Sequence, residues 1–505
     1  MEKRLILAIV LSLIILLSWS AIISRTHPLD NKGVITDNLS KAPQTINQEK
    51  VLPTTPPEET LPTVIFEQDK IKVGFIESQA AIKEVFFKNY PKGDLILRNG
   101  FAINSPPLNF KKIRSTDNSI TFQHLDANKK IVKEFIFSNT GYELWLEINV
   151  QNESSSSLQI DLPLWLGILD FAPAGTSSQF QDIIVQTKEK TLHLTARKDQ
   201  EFAQLQFIAL RNRYFCAILQ PEKIDTTGLL RKVDAGKLQA GISPNAFSLL
   251  PGAQMTEKFH IYLGPQELHL INSINPQWST VVYYGTFDFI SQILLRTLEF
   301  IHRLVHNWGA AVIILSFLVY LFLFPLTLKQ MRSMKEMQLL QPKIERLRTT
   351  YKDNPQRLNK EIMELYKEHK VNPFGGCLPL ILQIPIFFAL YQALMRSTTL
   401  KGANFLWIKD LSEPDRLFTL KFSLPALGNE FNILPILMAI GMFIQQKISS
   451  VGATSSTTAE QQKMMTIIMP ILFGFIFYHM PSGLVLYWFV NSMLMLAYQF
   501  RIRVK

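Results

Sequence analysis

Between Trp308 and Met395 the chain runs an apolar helix, a highly charged stretch, and a second apolar helix that opens Asn372-Pro-Phe-Gly-Gly-Cys-Leu-Pro379. A segment crossing hydrocarbon must satisfy its own backbone, so two separate apolar runs of this length can only cross as helices. The charged residues between them then form a helical hairpin on one side of a membrane. Both runs also carry polar side chains, which are expensive at that depth and mark a working site.

The composition agrees with a membrane protein that has a sizeable soluble part. Of 505 residues 47% are apolar and 18% charged, and the mean hydropathy is positive at +0.11. The formal charge of +11 is read as cationic loops that orient the spans rather than as a nucleic-acid surface, and no specific DNA binding is expected. The two cysteines, Cys216 and Cys377, fall on opposite sides of the bilayer in the topology below. No disulfide framework is therefore expected.

Residues 5–23 carry no charge and follow Lys3 and Arg4. That run matches a full span, without a clean cleavage site, so 1–25 reads as an uncleaved signal anchor. Five more spans are expected at 308–328, 374–395, 432–448, 464–480 and 483–500. Residues 329–372 hold eleven Lys/Arg against six acids, and a short basic tail, 501–505, follows the last span. Six spans with both termini and the hairpin in the cytoplasm satisfy this charge distribution. The loop 396–431 then lies outside the cytoplasm and 449–463 inside.

Residues 26–62 hold six prolines and little apolar pattern, which reads as a flexible or extended tether. From 63 the pattern changes to strands. Tyr142, Leu144, Leu146, Ile148 and Val150 alternate with polar or amphipathic residues, and Ser138-Asn-Thr-Gly141 before them is a hairpin turn. Similar runs at 63–76, 131–137, 191–195 and 258–263 predict one large extracytoplasmic antiparallel β-sandwich over 63–280. It carries no metal-ligand cluster, nucleophile elbow or paired-carboxylate motif, so it reads as a docking or spacer domain, with sugar binding as the alternative. From Phe287 to Val305, Phe287, Ile290, Leu294, Leu298, Ile301 and Val305 share one face opposite Asp288, Gln292, Arg296, Glu299 and Arg303. This predicts an amphipathic helix over 287–306 lying in the membrane interface.

In the charged region, Met337, Leu340, Ile344, Leu347 and Tyr351 form one apolar stripe, and Leu358, Ile362 and Leu365 another. Asn354 is placed to cap a helix with Pro355 at its first position, which predicts an antiparallel helical hairpin. Its charged surface is either a solvated face or a contact for ribosomal RNA, anionic lipid or an incoming chain. Within the spans, Ser316 and Tyr320 lie four apart, as do Tyr487 and Asn491, with Trp488 and Ser492 one step round and Gln383 in the third span. Helix–helix hydrogen bonds worth about 0.6 kcal/mol each, or a wetted groove, would satisfy them. More than half of the fifteen methionines lie from Met438 onward, which suits either lipid-facing filler or a surface that accepts many apolar sequences.

Ordered motifs cover the last two hundred residues: Asn307-Trp-Gly309, Phe324-Pro-Leu-Thr327, Leu340-Gln-Pro-Lys343, the 371–379 segment, Gln383-Ile-Pro-Ile-Phe387, Ala389-Leu-Tyr391, Trp407-Ile-Lys-Asp-Leu411 and Pro481-Ser-Gly-Leu-Val-Leu-Tyr487. In these the chain resembles the YidC/Oxa/Alb family of membrane protein insertases, in its long Gram-negative form. The resemblance implies a multi-pass α-helical membrane protein of the bacterial inner membrane, with a five-helix insertase core and a periplasmic β-sandwich. It implies a hydrophilic groove open to cytoplasm and lipid, which holds the polar segment of a nascent membrane protein while the apolar segment slides into lipid. Ser316, Tyr320, Gln383, Tyr487, Trp488, Asn491 and Ser492 are the expected groove residues. The implied partners are nascent membrane proteins, the Sec translocon, anionic lipid and, at the cytoplasmic loops, the ribosome and the signal recognition particle receptor.

No cofactor, metal or catalytic residue is expected, and the sequence has no phosphate-loop motif. One departure stands out. The family motif usually carries an arginine on the second span, four residues after a Thr or Ser and five before the proline, where this chain has Tyr320. The rival readings are a solute transporter or channel, which predicts internal repeats or paired ionisable residues at midplane, and an anchored carbohydrate-active protein, which requires acid/base pairs in the sandwich.

Overall fold

The computed structural model describes residues 62–503 apart from 91–92, 105–106, 140, 171–179, 195–197, 224–225, 235, 353, 370, 372–377, 425–426 and 450–455. The signal anchor, the tether up to residue 61, Cys377 and most of the 371–379 motif lie outside the described residues.

Strands alternating between apolar and polar residues build the first half. In Glu143–Asn152 every second residue from Leu144 to Asn152 is buried, while Trp145 is exposed. The turn before it closes as expected: Ser138 N donates to Glu143 O and Gly141, at φ +92°, donates to Ser138 O. A positive φ there favours glycine over residues with a Cβ. These strands join a nine-stranded antiparallel sheet centred on Gln254–Pro265, Glu143–Asn152 and Lys129–Phe137. A four-stranded sheet from Thr63 to Gly100 and a five-stranded sheet that includes Leu164–Asp170 and Lys237–Pro244 complete the sandwich. One apolar core joins them, with Phe75 from the small sheet edge-on to Phe135 of the large one.

Inside that core lies a fully buried lysine. Lys133 Nζ donates to the carbonyl oxygens of Ala80 (2.6 Å) and Phe101 and sits 5.0 Å from the Phe135 ring centre. Burial pushes its pKa well below the ordinary lysine value. The sandwich continues past its last strand through α1 (Leu268–Ile274) and a 3-10 turn, Pro276–Val281, whose Trp278 is buried in the same core.

Helices build the rest. Helix α2 spans Asp288–Val305 and α3 Trp308–Thr350. In α2 the structure corrects the expected orientation. Leu294, Leu298 and Ile301, on the face assigned to the membrane interface, pack against Ala311, Val312 and Leu315 of α3 and Ala389, Leu390 and Leu394 of the helix after residue 377. A second apolar strip, Phe289, Ile293, Phe300 and Leu304, is the exposed one. Two apolar strips flank the polar one, and periodicity alone cannot say which meets protein.

Helix α3 is continuous through 328 and runs on as the first arm of the charged hairpin, with Pro325 and Pro342 inside it. The second arm, α4 (Pro355–Glu368), opens as expected, with Asn354 Oδ1 accepting from Arg357 N at 3.1 Å. Leu340 and Ile344 of α3 meet Ile362 and Leu365 of α4 in a small separate core.

Helices α5 (Leu378–Arg396), α6 (Ile433–Ser449), α7 (Ser456–Phe477) and α8 (Ser482–Arg503) follow. Helix α7 starts inside the expected 449–463 loop and stops three residues short of 480; a turn at 478–480 and Pro481 lead into α8. Among the described residues, 308–333 and 482–501 are long and apolar enough to cross a membrane, and 433–448 and 466–477 are apolar but shorter.

Candidate functional site

The candidate site lies among α3, α5 and α8. Gln383 of α5 donates through Nε2 to Tyr487 Oη of α8 at 2.7 Å, and Tyr487 is fully buried. One turn on, Asn491 Nδ2 donates to the Tyr487 carbonyl at 2.9 Å. Three of the seven expected groove residues are thus linked through Tyr487, one bond crossing from α5 to α8 and the other lying within α8. Trp488 belongs to an aromatic cluster, with ring centres 5.5 Å from Phe387, 5.7 Å from Phe473 and 5.4 Å from Phe477. Ser492 is buried.

The two α3 residues differ. Ser316 is fully buried, and its hydroxyl donates to Val312 O of its own helix at 2.7 Å, so it needs no groove to satisfy it. Tyr320 Oη is buried with no hydrogen-bond partner among the described residues. Its ring lies 5.8 Å from Phe324, which in turn meets Tyr498 of α8 edge-on at 5.1 Å. Gln499 Oε1 of α8 is likewise buried and unpartnered. Its spacing of eight from Asn491 puts both on one helix face, a signal that the sequence reading missed.

One end of this bundle is tied shut. Asp415 Oδ2 accepts the first two amides of α6, Ile433 N and Leu434 N, both at 3.0 Å, and Trp407 Nε1 at 3.1 Å. A buried carboxylate at a helix N-terminus meets both orphan amides and the positive end of the dipole. Asn432 Nδ2 bonds Tyr478 O, Tyr478 Oη bonds Glu430 O, and Ser482 Oγ bonds Asp410 O. The loop 396–431 is therefore laced to the start of α6, the end of α7 and the start of α8. It carries a two-stranded hairpin, Phe418–Leu424 with Gly428–Phe431.

The sandwich is fastened to the same end, through residues that sequence reasoning did not single out. Arg213 Nε donates to Met395 O at 2.7 Å, and its two terminal nitrogens reach Glu413 Oε1 and Ser412 O, each at 2.8 Å. Lys401 stands over the Tyr214 ring at 4.7 Å. No sequence spacing links positions two hundred residues apart. Among the described residues, no group of three or more His, Cys, Asp or Glu could hold a metal ion.

Comparison with known proteins gives consistent results. Residues 300–505 match the family described as 60Kd inner membrane protein, and residues 104–297 match the YidC periplasmic domain. The membrane protein insertase YidC of Geotalea uraniireducens is 31% identical over 540 aligned positions, covering 99% of this chain and 98% of that one. The insertase YidC of Syntrophobacter fumaroxidans is 37% identical over 382 positions, covering 74% of this chain and 68% of its own length. A crystal structure of an active YidC insertase with its first transmembrane domain resolved aligns over 87% of this chain and 92% of its own, with a TM-score of 0.40 and 19% identity.

Proposed function

The chain belongs to the YidC family of membrane protein insertases, and from that membership we propose that Gln383, Tyr487 and Asn491, with Tyr320 on α3, form the polar wall of a groove that holds a substrate's translocating segment. It is a membrane protein insertase with a helical membrane part and a β-rich periplasmic domain. The family is one of insertases rather than of enzymes, and the transporter alternative has no observation behind it.

The observation that carries the groove is the Gln383–Tyr487 bond between α5 and α8. On α3, the Tyr320 hydroxyl, without a partner among the described residues, offers a donor and an acceptor to whatever enters. The substrate is a nascent inner-membrane protein. Its short polar segment exchanges water for these groups while its apolar segment passes into lipid along the helices. The laced 396–431 loop supports a groove closed at the periplasmic end and open at the hairpin end. In this reading six spans place both termini and the hairpin in the cytoplasm. The proposed partners are the Sec translocon within the membrane, and the ribosome, the signal recognition particle receptor and anionic lipid at the basic hairpin.

The test is insertion by the full chain reconstituted into liposomes, with a one-span substrate bearing a short polar tail. Protease protection of the tail well above protein-free liposomes is expected, and it should fall in a Gln383→Leu/Tyr487→Phe double variant. Protection no greater than in protein-free liposomes overturns the function; full protection with the double variant overturns the groove.

A further inference from the structure

A cavity of about 210 Å3 lies where the sandwich, α2 and the turn after α5 meet. Its wall includes Glu267 from the end of the sandwich, Tyr284 ahead of α2, Arg296 and Glu299 from α2, and Thr398. At about 30 Å3 per water it has room for about seven waters, enough for a small polar headgroup. Glu267 is held in place, its Oε1 accepting from Tyr90 Oη at 2.8 Å and Thr398 Oγ1 at 2.7 Å. Glu299 has no hydrogen bond or ion pair to another described residue, and burial followed by the negative charge of Glu267 raises its pKa. The exposed His269 Nδ1 stands 3.9 Å from Glu267 Oε2, and two carboxylates in one partly buried space favour a further cation between them.

The order of chemistry outward from that space is informative. Glu267 and Glu299 are partly buried, while Arg296 is exposed at the rim. Gln292, Arg296, Glu299 and Arg303 form one strip of α2 by helical spacing. The adjoining strip is the exposed apolar one, Phe289, Ile293, Phe300 and Leu304, with Phe289 77% and Leu304 67% exposed. The sequence acid, arginine, apolar surface matches ammonium, phosphate and acyl chain.

We propose that this cavity binds the ethanolamine headgroup of an outer-leaflet phospholipid, its ammonium between Glu267 and Glu299 and its phosphate on Arg296. The proposal rests on the membrane reading above, with α2 at the periplasmic surface. It does not depend on the groove. A bound lipid would fix α2, and with it the sandwich, at a set depth in the outer leaflet.

Native mass spectrometry of the detergent-solubilised full chain, titrated with phosphatidylethanolamine, phosphatidylglycerol or phosphatidylcholine, tests it. Phosphatidylethanolamine should bind about tenfold or more tightly than the other two, one lacking the ammonium and the other carrying three methyl groups on it. Glu299→Gln should abolish the preference without lowering the melting temperature, since it removes a carboxylate that burial and Glu267 disfavour. Arg296→Gln, at an exposed position that folding does not need, should weaken all three lipids. Equal binding of the three lipids by the natural chain overturns the proposal, as does a preference that survives in Glu299→Gln. If Glu299→Gln fails to fold, undiminished binding by Arg296→Gln overturns it. Phosphoethanolamine alone should compete, and competition by lysine instead would assign the site to a substrate side chain and overturn the lipid assignment. The insertion assay runs separately, so loss of lipid preference with insertion intact counts against this site only.

Discussion

Gly309 is where the start of α3 meets the loop that ties the bundle shut, and alanine there should separate them. A Cβ built at Gly309 would stand 2.0 Å from Phe405 Cγ, 2.2 Å from Cδ2 and 2.5 Å from Cβ. Ordinary carbon contacts are about 3.5–4 Å, so the two segments must part by about 1.5 Å. Rotating the ring does not help, because Phe405 Cβ is itself too close. The Phe405 backbone is also pinned, exchanging two 2.9 Å hydrogen bonds with Ile408. On the other side, Asn307 caps the helix through Ala310 N at 2.9 Å. Overpacking costs about 1–3 kcal/mol, and this contact belongs at the upper end. Replacing a helical glycine returns at most about 1 kcal/mol, less in the first turn. Gly309→Ala should therefore destabilise the helical part by about 2 kcal/mol. Phe405→Ala alone leaves a cavity and also destabilises. In the double variant the new methyl occupies that space, so it should be more stable than the sum of the single effects by at least about 1 kcal/mol. The assay is denaturant unfolding of the four proteins in mild detergent, followed by tryptophan fluorescence. Additivity within about 0.5 kcal/mol would refute the clash.

Two further outcomes are expected. Tyr320→Arg should raise the insertion of substrates with acidic translocated tails relative to neutral ones by about fivefold, the equivalent of a partly screened ion pair of about 1 kcal/mol. Equal acidic-tail preference in the two proteins, compared in the same liposomes, would show that position 320 does not set charge selectivity. Lys133→Met should remove a pH dependence from the sandwich. The folded pKa of Lys133 is depressed by burial, so acidification below the ordinary lysine value charges the unfolded chain first and penalises the folded one. The melting temperature of the natural chain should therefore rise relative to Lys133→Met as pH goes from neutral towards 10. Parallel profiles would sink this reading.

Local chemistry was legible from the residues. The Ser138–Gly141 turn, the alternating strand after it and the Asn354–Pro355 helix start all appear as expected, because each depends on neighbours a few positions away. Motifs at the Trp407–Leu411 and Pro481–Tyr487 segments pointed to a family, though not to what those residues touch. Contacts between elements were not legible in the same way. Helix α2 has two apolar strips, and only the packing of Leu294, Leu298 and Ile301 on α3 and α5 decides which one stays exposed. Helix α3 continues past 328 because its charged stretch is made of good helix formers, whereas hydropathy marks only where lipid would end.

The sequence by itself determined that apolar helices enclose a charged hairpin, that a β-rich domain precedes them, and that polar side chains recur at helical spacing within them. Periodicity and charge carry that much, since they act along the chain. Tertiary structure decided which polar groups meet: Gln383 with Tyr487 across 104 positions, Arg213 with Met395 across 182, and Glu299 in one cavity with Glu267, while Tyr320 keeps its hydroxyl unpaired among the described residues. Such partners are chosen by packing between elements, and no local rule of spacing contains them.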